Sequence, residues 1–255
     1  MGTGIIKNSM KLANFILQIF NMQIQFKHTG TFPVTINSLG TSHTIEKILK
    51  KLIQSNIHDQ FYFVQIGAND GHSFDPIHEC IIKYQLTGIC IEPIESYFIE
   101  LKITYKAYPQ VKLIQNAISE TNGPILMHKV IEEASLKLPT WTKGIASIHE
   151  DHHQRTGIPK FAIETETVHS ITFEALIQQE NITHIDLLVL DTEGYDIKIL
   201  SMIDFSQIKP TIIFFEHLYN HHAISDNELG KLVTNFQERG YLVHVGASEM
   251  LVYLP

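Results

Sequence analysis

The chain has 255 residues, a length that gives one to two domains at about 150 residues each. Hydrophobic residues make up 44% and charged residues 18%, which excludes a disordered or fibrous chain. Nineteen Lys and Arg against 27 Asp and Glu give a formal charge of −8, the wrong sign for a protein that grips phosphate backbones, so no nucleic-acid partner is expected. Two cysteines, Cys80 and Cys90, are too few for a disulfide framework, and reduced thiols in a cytoplasmic setting are the simpler expectation.

In chain order, the first feature is Met10 to Phe26. Five Asn and Gln residues interrupt it, so no run reaches the roughly 18 apolar residues of a spanning helix. No cleavage site for a signal peptide follows. It is expected to form an amphipathic helix that packs on the domain, on a second copy as a homodimer, or reversibly on a membrane surface. Gly30, Pro33 and Gly40 mark a connector, and Thr44 to Ser55 carries Ile45, Ile48, Leu49 and Leu52 at helical spacing. Residues 1–56 are therefore assigned to a helical N-terminal extension, and residues 57–255 to the main domain.

From Phe61 the pattern alternates. Strands are expected at Phe61 to Ile66, Gly88 to Ile91, Val111 to Gln115, Asp186 to Leu190 and Thr211 to Phe215. Helices are expected at Pro76 to Tyr84 behind an Asp75 cap, Ile94 to Tyr105, Thr172 to Glu180, Glu193 to Met202 and Asn227 to Arg239. Apolar strands alternating with helices predict a doubly wound α/β fold with a mostly parallel seven-stranded sheet. Only Gly246 to Glu249 separate the strands Tyr241 to Val245 and Met250 to Leu254, too few for a crossover, so the last strand is antiparallel. Residues 123–168 break the rhythm as a polar insertion expected to face substrate.

Four segments carry chemistry. Gln65-Ile66-Gly67-Ala68-Asn69-Asp70-Gly71 follows the first strand, and its glycines allow a sharp turn and close approach of a ligand. Glu92-Pro93 ends the second strand, where an acid can accept hydrogen bonds from both ribose hydroxyls of an adenosine ligand. Gln115-Asn116-Ala117 places polar groups, Asn116 among them, where an adenine would lie. Asp191-Thr192-Glu193-Gly194 leaves the fourth strand with two carboxylates that are costly to desolvate unless paired or used. Asp191 or Thr192 could also cap the helix that follows. A nicotinamide reading wants G-x-G-x-x-G, which this loop lacks.

These motifs, in this order, resemble the FkbM family of methyltransferases across roughly Phe61 to Leu218. The family pattern V-D-x-G-A-N-x-G matches from Val64 to Gly71, with Gln65 in place of the Asp; an acid-Pro pair and a K-x-D-x-E-G segment follow in order, the latter without the Lys that the family often has. The resemblance implies a Rossmann-like fold, S-adenosylmethionine as cofactor, and O-methylation of a hydroxyl on a sugar, glycan or specialised metabolite. It implies a cofactor site of Gln65, Gly67, Ala68, Asn69, Gly71, Glu92, Asn116 and Asp191. Asp191, with His217 or Glu193, is expected as the general base, and Ser147, Glu216 and His149 are expected to face the acceptor. Two alternatives stand beside this: N-methylation of a small molecule, and a silent cofactor-binding module to which only Gln65 points. Two histidine groups, His149, His152, His153 and His217, His221, His222, raise a metal site, but 15 histidines make such groups by chance and no metal is expected.

Overall fold

The computed structural model describes residues 42–219, 222–223, 226–246 and 248–255. The amphipathic helix expected at Met10 to Phe26 lies outside them, as does His221. Helix α1 (Ser42–Asn56) leads into strand β1 (Tyr62–Ile66), helix α2 (His78–Tyr84), β2 (Thr87–Ile91), α3 (Glu95–Thr104) and β3 (Val111–Ile114). Then come β4 (Ala117–Ile118), β5 (Gly123–Val130), α4 (Glu132–Ser135), β6 (Ala146–Ser147), α5 (His152–Thr156) and β7 (Ile163–Ile171). The chain continues through α6 (Phe173–Gln179), β8 (Leu187–Leu190), α7 (Asp196–Met202), β9 (Ile212–Glu216), β10 (Leu218–Tyr219) and β11 (His222–Ala223). It closes with α8 (Asp226–Glu238), β12 (Leu242–Val245) and β13 (Glu249–Tyr253).

Seven strands form the main sheet in the order β12-β13-β9-β8-β1-β2-β3. The neighbours from β9 to β3 pair in parallel, while β13 pairs antiparallel with both β9 and β12. This is the doubly wound sheet with an antiparallel last strand that the apolar runs predict. Strand alternation divides the core into two halves. Val64, Leu188 and Ile213 face α6, α7 and α8 through Leu176, Ile199 and Phe236. Phe63, Val189 and Phe214 face the other way, against Ile81 of α2 and Leu101 of α3.

Helix α1 joins that second half. Ile45, Ile48, Leu49, Leu52 and Ile53 are all buried in it beside Leu251 and Tyr253, so the core takes in residues ahead of position 57. Their spacing fixes which face of the helix is apolar; the exposed face of the sheet supplies what it covers.

Two helices begin later than their sequence limits. Regular helix starts at His78 with Ile77, not Asp75, at the cap position; the Asp75 carboxylate instead accepts from the Ile77 and His78 backbone N–H groups at 2.7 and 2.9 Å in the turn that leads into the helix. Helix α7 starts at Asp196 because Glu193 (φ 52°) and Gly194 (φ 99°) are left-handed, a conformation no right-handed helix admits. The Asp196 carboxylate, rather than Asp191, accepts from the Thr192 N–H and hydroxyl.

The insertion is a second, four-stranded sheet in the order β4-β7-β5-β6, built on eight register pairs between β5 and β7. Among the described residues no helix is long and apolar enough to cross a membrane.

Candidate active site

At the carboxyl ends of β1, β2, β8 and β9 lies a cavity of about 530 Å³, within the range of small-ligand sites. Its wall includes Gln65, Gly67, Ala68, Asn69, Glu92, Asn116, Asp191, Glu193 and Glu216, so most of the residues expected from sequence converge on one space.

Gly67 is what lets the β1 end approach β8. A Cβ at that position would stand 1.8 Å from the Asp191 carbonyl oxygen, and its φ of 83° is left-handed as well. Asn69 is also left-handed, at φ 48°. Its N–H donates to Glu92 Oε2 at 2.9 Å, while the Ile94 N–H donates to Oε1 at 2.8 Å. Glu92 is thus held at the end of β2 by two backbone donors, and each oxygen retains a lone pair for a further donor. Burial pushes its carboxyl up to about 7, with the Glu166 charge adding to the shift and the two N–H donors opposing it.

Gln65 is buried, and its amide donates to Asp75 Oδ2 at 3.1 Å while its carbonyl accepts from the Cys90 thiol at 3.6 Å. Asp75, ten residues further on, brings a carboxylate to the same wall beside Gln65.

Asp191 and Glu216 form the acidic floor. No hydrogen-bond donor among the described residues meets either carboxyl group. Burial, then the Glu193 and Asp196 charges, raises Asp191 well above the ordinary range. Glu216 is pushed up to about 10 by burial and by Asp191. Glu193 is different: its Oε2 lies 3.1 Å from His152 Nε2, and its backbone carbonyl accepts from the Ser147 hydroxyl at 2.9 Å. Helix α5 and strand β6 of the insertion thereby fix the strained Glu193 turn.

Four of the expected residues are elsewhere. Ser147 is fully buried and holds the Glu193 backbone instead of opening onto the cavity. His149 packs its ring 5.9 Å from that of Tyr195 and is outside the wall. Gly71 is a packing glycine, since a Cβ there would meet Leu101 and Tyr105 at 2.6 and 2.5 Å. His217 follows Glu216 at the strand end, so alternation turns it away; its Nε2 lies 3.1 Å from the Gly246 carbonyl oxygen, and burial lowers its pKa. Among the described residues no group of three His, Cys, Asp or Glu is placed to hold a metal ion.

The wall also contains residues that the sequence motifs do not mark: Glu46 of α1, Trp141 and Lys143 of the insertion, and Glu249 of β13. Trp141 is the only tryptophan and stands in a polar stretch, a signal that was there to be read. Glu249 is the register partner of Glu216 across the antiparallel β9–β13 pair, which no sequence motif marks.

The FkbM methyltransferase domain model matches residues 65–243, which span the glycine turn, Glu92 and the acidic floor. The chain belongs to the FkbM methyltransferase family. S-adenosylmethionine is accordingly its methyl donor. The FkbM chain is also similar in fold to a TDP-rhamnose 3'-O-methyltransferase of calicheamicin biosynthesis, at 10% identity and a TM-score of 0.47, over 99% of this chain and 95% of that one. A precorrin-6y methyltransferase from Geobacter metallireducens matches at 12% identity and a TM-score of 0.42, over 86% and 92%. No curated protein matches significantly. The donor set fits the cofactor: carboxylates outnumber basic groups in the wall, where Lys143 is the single Lys or Arg among the described residues, and the sulfonium ligand is cationic.

Proposed function

We propose that this methyltransferase methylates a hydroxyl oxygen of a sugar or similar polyhydroxylated acceptor. The observation that carries the reading is the convergence of the Gly67 turn, Glu92 and the donor-free Asp191 on one cavity. S-adenosylmethionine supplies an electrophilic methyl group on a sulfonium, and an acceptor oxygen displaces the thioether in line.

The remaining work belongs to the chain. The backbone from Gly67 to Asn69 turns tightly enough to leave space for the adenosyl group, and Glu92 takes the ribose hydroxyls on its free lone pairs. Asn116 edges the adenine. The Gln65–Asp75 pair holds the ammonium end. With the methyl donor bound, Asp191 would take the proton of the acceptor hydroxyl as the oxygen accepts the methyl group, and the thioether would leave as S-adenosylhomocysteine. Glu216 shares that proton across the acidic floor, and Glu193, fixed by His152, orients the acceptor.

The test is incubation with S-adenosylmethionine and a panel of sugars, with mass spectrometry locating any methyl gained. An oxygen-linked methyl is expected. Asp191→Asn should lower turnover about a hundredfold or more, the usual worth of a general base, while S-adenosylhomocysteine still binds. Undiminished turnover in that variant contradicts the assignment of the base, and a nitrogen-linked methyl contradicts the proposed reaction.

A further inference from the structure

We infer that Gly144 is a positioning residue of the cofactor pocket: through it the insertion holds the Asn69 carboxamide against the bound adenosyl ligand. The inference rests on the methyltransferase reading and extends the cofactor pocket from the glycine turn to the insertion.

The contact is close. Gly144 leads into β6 at a φ of 95°, and a Cβ there would stand 2.1 Å from Asn69 Nδ2 and 2.7 Å from Asn69 Cγ. Glycine alone combines the left-handed backbone with the space that the carboxamide fills. Both residues line the cavity. The Asn69 backbone N–H is committed to Glu92 Oε2, whereas among the described residues no group hydrogen-bonds the Asn69 carboxamide. Packing against Gly144 therefore fixes the side chain while its two donors and its acceptor stay available to a ligand. The Gly144 N–H also acts on the Tyr97 hydroxyl of α3, opposing the burial that raises its pKa.

The insertion also meets the second donor to Glu92. Ile94, whose N–H holds Glu92 Oε1, is buried with Met127 of β5 and Val168 of β7. Glu166 of β7, paired with Lys129 at 2.8 Å, accepts from the Glu95 N–H at 3.1 Å. Both residues that donate to Glu92 are therefore braced by the insertion, Asn69 through Gly144 and Ile94 through β5 and β7. Groups held in place before the ligand arrives lose less freedom on binding, which is how such bracing adds affinity.

The inference is tested by titrating S-adenosylhomocysteine calorimetrically into the wild-type protein, Gly144→Ala, Asn69→Gly and the double variant. Glycine at position 69 keeps the left-handed turn and removes the carboxamide. Gly144→Ala is expected to weaken binding about tenfold, the step one hydrogen bond provides, and Asn69→Gly by a similar factor. Added to Asn69→Gly, Gly144→Ala should cost less than about twofold more, because the group it displaces is already gone. The side-chain amide NMR signal that Asn69→Gly lacks should shift when S-adenosylhomocysteine binds the wild-type protein and stay in place in Gly144→Ala. An equal loss in both backgrounds would mark a backbone effect alone and overturns the inference, as does unchanged affinity in Gly144→Ala. Should Gly144→Ala fail to fold, Tyr97→Phe probes the same junction without adding an atom beside Asn69. It is expected to weaken binding about threefold, and undiminished affinity there overturns the inference. Binding that ignores these substitutions sinks this inference alone, whereas no binding to the wild-type protein sinks the methyltransferase site reading with it.

Discussion

Glu92 shows how one side chain couples binding to pH. Its two backbone donors hold it in place, but burial keeps its carboxyl near 7, so a large share is protonated at neutral pH before a ligand arrives. A diol donates to the ionised form and favours it. S-adenosylhomocysteine affinity should therefore rise as pH increases from about 6 to about 8 and level off above, with proton release visible when calorimetry is repeated in buffers of different ionisation enthalpy. Affinity that falls over this interval contradicts the assignment. Gly67 is a harder constraint. Gly67→Ala should cost about 2 kcal/mol or more, because the new Cβ would overlap the Asp191 carbonyl at a left-handed φ, and chemical denaturation measures the loss. Both residues were legible in sequence, since a glycine turn and a strand-end acid are local signals. His217 was not, because adjacent residues at a strand end share a sequence neighbourhood but face opposite ways.

At the level of elements, α1 and the insertion were read least completely. Periodicity identified α1 as an amphipathic helix, yet a stripe of apolar residues says nothing about its partner, and the helix proves to be a wall of the core. Leu49 is fully buried there, so Leu49→Ala should destabilise the protein by about 2–5 kcal/mol in urea unfolding, whereas an accessory extension would tolerate it. The insertion hid its strands because β7 exposes Glu164, Thr165, Thr167 and His169 while β5 exposes the apolar Leu126, blurring the two-residue period that marks a buried face. Its contribution to the site is mechanical. His152→Ala should free the Glu193 turn and lower kcat about tenfold with S-adenosylhomocysteine affinity unchanged. A loss confined to cofactor affinity contradicts a positioning role.

Across the molecule, the mostly parallel sheet and its antiparallel closing strand followed from apolar runs and one short loop, while the strand order and the charge of the cavity did not. Its carboxylates come from α1, β2, β8, β9 and β13, which only the fold brings together. That collection has a stability cost. Glu216 has its carboxyl raised to about 10 from an ordinary value of 4.5, so the folded protein binds a proton that the unfolded chain releases. The stability this contributes is full below about pH 4.5 and is lost progressively as pH rises towards about 10. The thermal midpoint of the ligand-free protein should drop between about pH 6 and about pH 9, and Glu216→Gln should flatten the drop; a midpoint that rises over this interval contradicts the account. The most direct test of the central claim is calorimetric titration of S-adenosylhomocysteine into the wild-type protein and Glu92→Gln. One molecule should bind per chain, with affinity about tenfold or more weaker in the variant as the charged acceptor of the diol is lost. Equal affinities, or no binding to the wild-type protein, would contradict it.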